Sequence, residues 1–245
     1  MKKIESGSLA VILDEKTLGL QIEKDGVVWN TDPKKAPELI FEEGMYHFLD
    51  AEEISHEIFS SGVGYGIRSR YAGFAGTPYA FETIIWIENV DETLWMEWIP
   101  LCEEGLHPKK VLWPTAMEFV SDRADWYTLL TEGQGLLIPN TWETELGKLS
   151  FDGRFETSGG YMPWYGQIKE KRGYVAVCTT PWNAGYQAEH PSGGPYTSVG
   201  AWLEPSWGKW STAAYSGILS ETTAIITIFV KYTAGMCGSR GIFVR

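Results

Sequence analysis

Two segments in the second half of the chain combine aromatic rings with amide, carboxylate and imidazole groups. They are Tyr161-Met-Pro-Trp-Tyr-Gly-Gln167 and Thr180-Pro-Trp-Asn-Ala-Gly-Tyr-Gln-Ala-Glu-His190. A sugar has an apolar C–H face and an edge of hydroxyls, so a flat ring with planar polar groups at its rim matches it. The segments therefore predict a carbohydrate-binding site. Its candidate residues are Trp164, Tyr165, Gln167, Trp182, Asn183, Tyr186, Glu189 and His190.

A structural role is the alternative for the same side chains. The rings would then fill the end of a β-sandwich, and the polar groups would fix the loops. From 140 to 210 the sequence is rich in Gly and Pro and carries ten Trp and Tyr residues. Because functional residues are common on loops held by a rigid scaffold, we expect this region to be loop-rich and its rings to form one surface. That surface would be a sugar-binding groove or, as we prefer, a domain interface.

Hydrolysis of a glycosidic bond requires two carboxyl groups about 5–10 Å apart across a cleft. The candidates are Glu118, Glu143, Glu145, Asp152 and Glu189. Since the chain contains 32 acidic residues, chance alone supplies several pairs. Glu189 and His190 are adjacent and would point to opposite faces of a strand, so they form no direct dyad. Catalytic residues stay unassigned.

Other classes of site lack the residues they need. His47, His56 and His107 have no second ligand at helical spacing, and the three cysteines form no C-x-x-C pair, so we expect no metal site. Neither G-x-G-x-x-G after a strand nor G-x-x-x-x-G-K-[ST] occurs, and no cofactor is predicted.

The charge and hydropathy patterns restrict the partners. A net charge of −12 repels phosphate backbones, so nucleic acid is not an expected partner. No apolar run approaches the roughly 20 residues that cross a bilayer, and no membrane partner is expected. The first residues, Met1-Lys-Lys-Ile-Glu-Ser-Gly7, show no signal-peptide pattern. These features predict a cytoplasmic protein.

Strand signals dominate the sequence. Leu18, Leu20 and Ile22 alternate with smaller or polar residues, and Asp25-Gly26 is a strong hairpin turn. Residues 81–88 and 93–99 predict a second hairpin, and residues 126–131 and 135–139 a third. Residues 174–179 and 223–231 predict two further strands, whereas residues 51–59 fit either a helix or a bent strand. The pattern predicts one all-β domain over residues 1–245, a large antiparallel sandwich of two packed sheets.

Three motifs resemble a known family. Asp25-Gly-Val-Val-Trp29, Gln134-Gly-Leu-Leu-Ile-Pro139 and Tyr161-Met-Pro-Trp-Tyr-Gly166 resemble the N-terminal domains of glycoside hydrolases. The resemblance implies a galactose-mutarotase-like β-supersandwich. In that family the supersandwich precedes a (β/α)8 barrel that holds the catalytic carboxylates, and no alternating strand–helix region occurs in this sequence. Free-standing mutarotases use a His and Glu pair, but their motifs match no histidine here.

The resemblance implies a carbohydrate-associated accessory domain of a glycoside hydrolase, not catalytic as an isolated chain. Its partners would be carbohydrate, a glycoside hydrolase catalytic domain, or both. A stand-alone sugar enzyme, either an aldose epimerase or a glycosidase, is the first alternative. A protein-interaction module is the second.

Overall fold

The computed structural model describes residues 1–42, 44–133, 135–142, 149–155, 160–170, 172–190, 197–205 and 213–221. Within them the chain forms nineteen β-strands and two 3-10 helices, Phe48–Asp50 and Pro181–Asn183. The strands are β1 (Lys2–Ser6), β2 (Leu9–Leu13), β3 (Leu20–Lys24), β4 (Val27–Asn30), β5 (Glu38–Ile40), β6 (Met45–His47), β7 (Glu53–Ser60), β8 (Gly64–Phe74), β9 (Thr77–Glu88), β10 (Leu94–Cys102), β11 (Lys110–Leu112), β12 (Trp126–Glu132), β13 (Leu136–Pro139), β14 (Leu149–Arg154), β15 (Gly160–Lys169), β16 (Arg172–Cys178), β17 (Ala184–His190), β18 (Ser198–Leu203) and β19 (Ala213–Glu221). The predicted all-β class is confirmed.

The described strands pair antiparallel in three sheets. The four-stranded sheet has the order β1-β2-β3-β4, and the nine-stranded sheet has the order β13-β12-β15-β16-β19-β10-β9-β8-β7. The six-stranded sheet has the order β14-β17-β18-β11-β5-β6. Residues 51–59 mostly belong to β7, so the strand alternative holds there. The strand predicted at residues 223–231 lies outside the described residues.

The three predicted hairpins are confirmed. Asp25 (φ 51°) and Gly26 (φ 77°) both adopt the left-handed conformation that a two-residue turn requires, and they join β3 to β4. The pairs β9–β10 and β12–β13 form the other two hairpins.

The expectation of a loop-rich region from 140 to 210 is wrong for the described residues, because β14 to β18 lie there, with β16 at the strand predicted over residues 174–179. The described glycines of this region lie in strands. A Cβ added at Gly153 would lie 2.3 Å from the ring of Tyr186, and one added at Gly185 would lie 2.3 Å from the ring of Trp202. Each glycine is paired with that aromatic residue on the neighbouring strand, so the absent side chain makes room for the ring.

The four- and six-stranded sheets are joined edge to edge by the segment between Pro114 and Glu118. The Glu118 N–H donates to the Asn30 carbonyl oxygen (2.7 Å), which extends the edge of β4. On the other side, the Ala201 N–H donates to the Pro114 carbonyl oxygen (3.0 Å) beside β18. These backbone bonds hold the two smaller sheets side by side.

The core lies between these two sheets and the nine-stranded sheet. One buried apolar cluster includes Trp29 of the four-stranded sheet, Phe81 of the nine-stranded sheet and Tyr186 of the six-stranded sheet. Trp29 packs edge-on against Tyr174 at 4.9 Å between ring centroids, and Tyr165 lies 6.3 Å from Tyr186. Burial of this shared apolar surface stabilises the packing of the sheets.

Candidate functional site

Three of the predicted sugar-binding residues lie on the central strand β15, and its alternation divides them. Tyr165 and Gln167 are buried in the space between the sheets. Trp164 points to the opposite face of the nine-stranded sheet, where it belongs to a second apolar cluster with Val175 and Val177. None of the three is exposed.

The Gln167 amide has protein partners on all sides. Its Nε2 donates to Thr128 Oγ1 (3.1 Å) and to the Thr197 carbonyl oxygen (3.0 Å), and its Oε1 accepts from the Tyr174 hydroxyl (2.7 Å). A buried polar network that is fully paired connects strands and fixes their register. The observed contacts of Gln167 are therefore structural.

Tyr186 and His190 lie on β17 and also face the interior. The Tyr186 hydroxyl donates to the Glu132 carboxylate at 2.9 Å. His190 Nδ1 bonds Thr197 Oγ1 at 2.8 Å, and its Nε2 contacts the carbonyl oxygen of Trp142. Both side chains tie β17 to neighbouring segments.

Glu189 differs from its neighbours on β17 because alternation places it on the outer face of the six-stranded sheet. Its carboxylate is half-buried and pairs with the Lys35 ammonium group at 3.1 Å. Trp182 is 66% exposed and lies in the 3-10 helix that precedes β17. Asn183 follows it, half-buried, and its carbonyl oxygen accepts from the Glu204 N–H at 2.8 Å.

These four rings therefore occupy separate environments: Tyr165 and Tyr186 are interior, Trp164 lies in the second cluster, and Trp182 is exposed. The expectation of one aromatic surface is wrong for these residues. The physical reason is strand alternation, which sends successive side chains to opposite faces. The assignment of the eight candidates to carbohydrate binding stays a prediction.

A depression of about 210 Å³ opens beside Glu189, and we call it the β17 pocket. The charged and polar residues of its lining include Lys34, Lys35, Glu38, Thr115, Gln187 and Glu189. Sequence reasoning missed all of these except Glu189. The alternation of β17 is the signal that finds Gln187, since it lies two residues before Glu189 and shares its face.

A second depression of about 350 Å³ adjoins the β17 pocket. Its lining combines polar residues such as Asp14, Gln21 and Asn30 with apolar residues such as Ile12 and Leu20. Lys35 and Thr115 line both depressions.

Beyond the pocket, a cluster of charges covers Trp202 on the same outer face. Lys110 Nζ lies 4.2 Å from the ring centroid, and the Arg154 guanidinium carbon lies 5.4 Å from it. Lys110 also pairs with Asp152 at 3.4 Å and with Glu204 at 3.9 Å. Trp202 is only 2% exposed, so its ring offers no free face for a sugar.

Asp152 and Glu189 are candidate acids that lie on neighbouring strands of the six-stranded sheet. Asp152 is paired across β14 and β17 with Gln187, which makes Glu189 its diagonal neighbour, at a separation of roughly 7–8 Å. Each carboxylate is paired with a different lysine. Glu118 is exposed in the connecting segment, and Glu143 and Glu145 lie outside the described residues.

Metal-binding and membrane-spanning features are not found in the described part of the chain. It holds no group of three His, Cys, Asp or Glu side chains able to bind a metal ion. Nor does any of its helices have the length and apolar character needed to cross a membrane.

Solved structures of a bacterial glycosidase are similar to this chain. The α-N-acetylgalactosaminidase NagBb from Bifidobacterium bifidum, in complex with Gal-NHAc-DNJ, is 39% identical over 96% of the chain, with a TM-score of 0.90. The NagBb complex with GalNAc gives 39% identity over 97% of the chain and the same TM-score. The ligand-free enzyme gives 38% identity over 97% of the chain and a TM-score of 0.86.

The chain spans 39% of the length of NagBb. A GalM/aldose epimerase homologue from C. elegans is 10% identical over 89% of this chain and 98% of its own, but its TM-score of 0.47 supports no argument. No protein-family model and no curated protein matches the chain. The resemblance drawn from the sequence motifs is confirmed: over nearly its whole length, the chain is a domain related to one part of a glycoside hydrolase.

Proposed function

We propose that this chain is an accessory domain that supports the catalytic domain of a glycoside hydrolase, and that it is not catalytic alone. One observation carries the proposal: 96% of the chain matches NagBb, yet the match covers only 39% of that enzyme. The larger share of NagBb has no counterpart in these 245 residues. The related enzyme acts on α-linked N-acetylgalactosamine, and we propose the same substrate class for the enzyme that this domain supports.

The domain is proposed to be a single galactose-mutarotase-like supersandwich. The backbone bonds through residues 114–118 support this fold, because they join the four- and six-stranded sheets into one layer. The Trp29–Tyr174 and Tyr165–Tyr186 ring contacts support packing of that layer against the nine-stranded sheet. Two layers around one core are the usual construction of such a domain.

The arrangement of acids supports a non-catalytic role. A glycosidase needs one carboxyl group to donate a proton and a second to attack or to activate water. Of the candidate acids, Asp152 is exposed and bonded to Lys110, and Glu189 is bonded to Lys35. Neither carboxylate stands opposite the other across a cleft, because both project from the same face of one sheet.

A chimera tests the accessory role. The part of NagBb that matches this chain is replaced by residues 1–245, and hydrolysis of p-nitrophenyl α-N-acetylgalactosaminide is measured. We expect the chimera to retain activity, because a domain of the same fold restores the packing against the catalytic part. NagBb lacking that part is the matched control. A folded chimera no more active than this deletion variant would contradict the accessory role.

A further inference from the structure

We propose that the β17 pocket binds one neutral saccharide residue. This role rests on the proposed function, because an accessory domain of a glycosidase meets carbohydrate. The pocket is distinct from most of the predicted site: of the eight predicted residues, only Glu189 lines it.

The size of the pocket favours a single ring. Its volume of about 210 Å³ is below the roughly 300–1,000 Å³ of pockets that enclose drug-sized ligands. Gly200, in the middle of β18, lets the Ala116 backbone pack closely at the pocket wall, since a Cβ there would lie 3.1 Å from the Ala116 nitrogen. Leu112 and Ala36 add small apolar surface that can contact the C–H groups of a sugar.

The charges of the pocket favour a neutral ligand. Lys34 and Lys35 contribute two positive charges, and Glu38 and Glu189 contribute two negative charges, whereas the whole chain carries −12. An anion would face two carboxylates, and a cation would face two ammonium groups. Hydroxyl groups both donate and accept hydrogen bonds, so a neutral saccharide can bond to the ammonium groups and to the carboxylates alike.

Neutral polar side chains supply the rest of the recognition. The Gln187 side chain is exposed within the lining, and its amide offers two donors and one acceptor oxygen. Thr115 and Ser198 also line the pocket and carry hydroxyl groups. No aromatic ring is among the described residues that line the pocket, so we expect weak binding that depends on hydrogen bonds.

Ligand-detected NMR titration of the 245-residue chain with methyl α-N-acetylgalactosaminide tests the site, with methyl α-glucoside and inorganic phosphate as comparison probes. Gln187→Ala removes the amide, and Ala36→Phe fills the pocket. Asp152→Ala is the matched control, since Asp152 of β14 is the cross-strand neighbour of Gln187 on β17 but does not line the pocket. We expect saturable saccharide binding, a Kd at least tenfold higher in the first two variants, and an unchanged Kd in the control. Circular dichroism verifies that each variant is folded.

Three results would overturn the proposal that the β17 pocket binds a saccharide. They are no saturable binding of either saccharide, preferential binding of phosphate, or unchanged saccharide affinity in folded Gln187→Ala and Ala36→Phe. The chimera experiment separates this failure from failure of the accessory role. An active chimera together with a chain that binds no saccharide would refute only the saccharide site. An inactive chimera together with a chain that binds saccharide would refute only the accessory role.

Discussion

Tyrosine side chains carry hydroxyl groups into the space between the sheets. Burial raises the pKa of Tyr71 to about 12, and it also raises the pKa values of Tyr79, Tyr165, Tyr174 and Tyr186 above their ordinary value near 10. The neutral hydroxyl is favoured because the charged form would lose its hydration. In the unfolded chain the same groups ionise near pH 10.

This difference predicts a loss of stability at alkaline pH. Below about pH 10 these tyrosines are neutral in both states, and their contribution is fully present. Above it the unfolded chain releases protons that the folded chain keeps, so the free energy of unfolding falls by up to about 1.4 kcal/mol per pH unit for each such tyrosine. Urea denaturation between pH 8 and pH 12 measures this fall, with tyrosinate absorbance at 295 nm followed in parallel.

Tyrosinate absorbance from the buried groups should rise together with the loss of the circular dichroism signal. If all twelve tyrosines ionised near pH 10 while the circular dichroism stayed native, the account of the buried hydroxyls would be contradicted.

Residue types alone could not locate the site. Gln167 and Glu189 are both planar polar side chains near aromatic rings, yet Gln167 is buried with three protein partners and Glu189 lies on an outer face. The two residues differ in the strand face from which they project. Whether that face is buried depends on whether another sheet packs against it. Lys35 was unpredictable for another reason, since it reaches Glu189 across 154 positions of the chain.

At the level of elements, turns depend on backbone conformation more than on side-chain contacts. Gly26 has φ 77°, and a Cβ added there would meet nothing within 4 Å. We therefore expect Gly26→Ala to destabilise the β3–β4 hairpin and the domain by about 1 kcal/mol, purely from left-handed backbone strain. Urea denaturation monitored by circular dichroism measures the effect.

Gly62→Ala is the matched control for this substitution. A Cβ added at Gly62 also meets nothing within 4 Å, but its backbone is not left-handed. We expect its stability to be unchanged or raised by about 0.4–1 kcal/mol, because alanine reduces the entropy of the unfolded chain. Equal destabilisation by both substitutions would show that strain at Gly26 is not the cause.

Hairpins with period-2 flanks could be predicted because their signal is local. Among β14 to β18 only β16 has such a local signal. The other four strands could not be predicted, because glycine has two uses that sequence does not distinguish. Asp25-Gly26 is a turn, whereas Gly153 and Gly185 lie in strands beneath the rings of Tyr186 and Trp202. The second use depends on a neighbouring strand, whose identity is a property of the folded sheet.

For the whole molecule, the all-β class and the relation to glycoside hydrolases followed from the sequence, whereas the arrangement in three sheets did not. The joint between the two smaller sheets consists of backbone bonds such as that from Glu118 to Asn30, and backbone atoms leave no pattern in the residue types. The proposed division of labour between this domain and a catalytic domain rests on the extent of the match with NagBb, which covers 39% of that enzyme.

Turnover by the isolated 245-residue chain is the direct test of the claim that this domain is not catalytic alone. Purified chain, with NagBb as the positive control, is incubated with p-nitrophenyl α-N-acetylgalactosaminide and a panel of other aryl glycosides, and nitrophenol release is recorded. We predict no release above the buffer rate, because Asp152 and Glu189 project from the same face of one sheet and each is paired with a lysine. Robust release by the wild-type chain that is abolished in Glu189→Gln or Asp152→Asn would contradict it and would make this chain an enzyme in its own right.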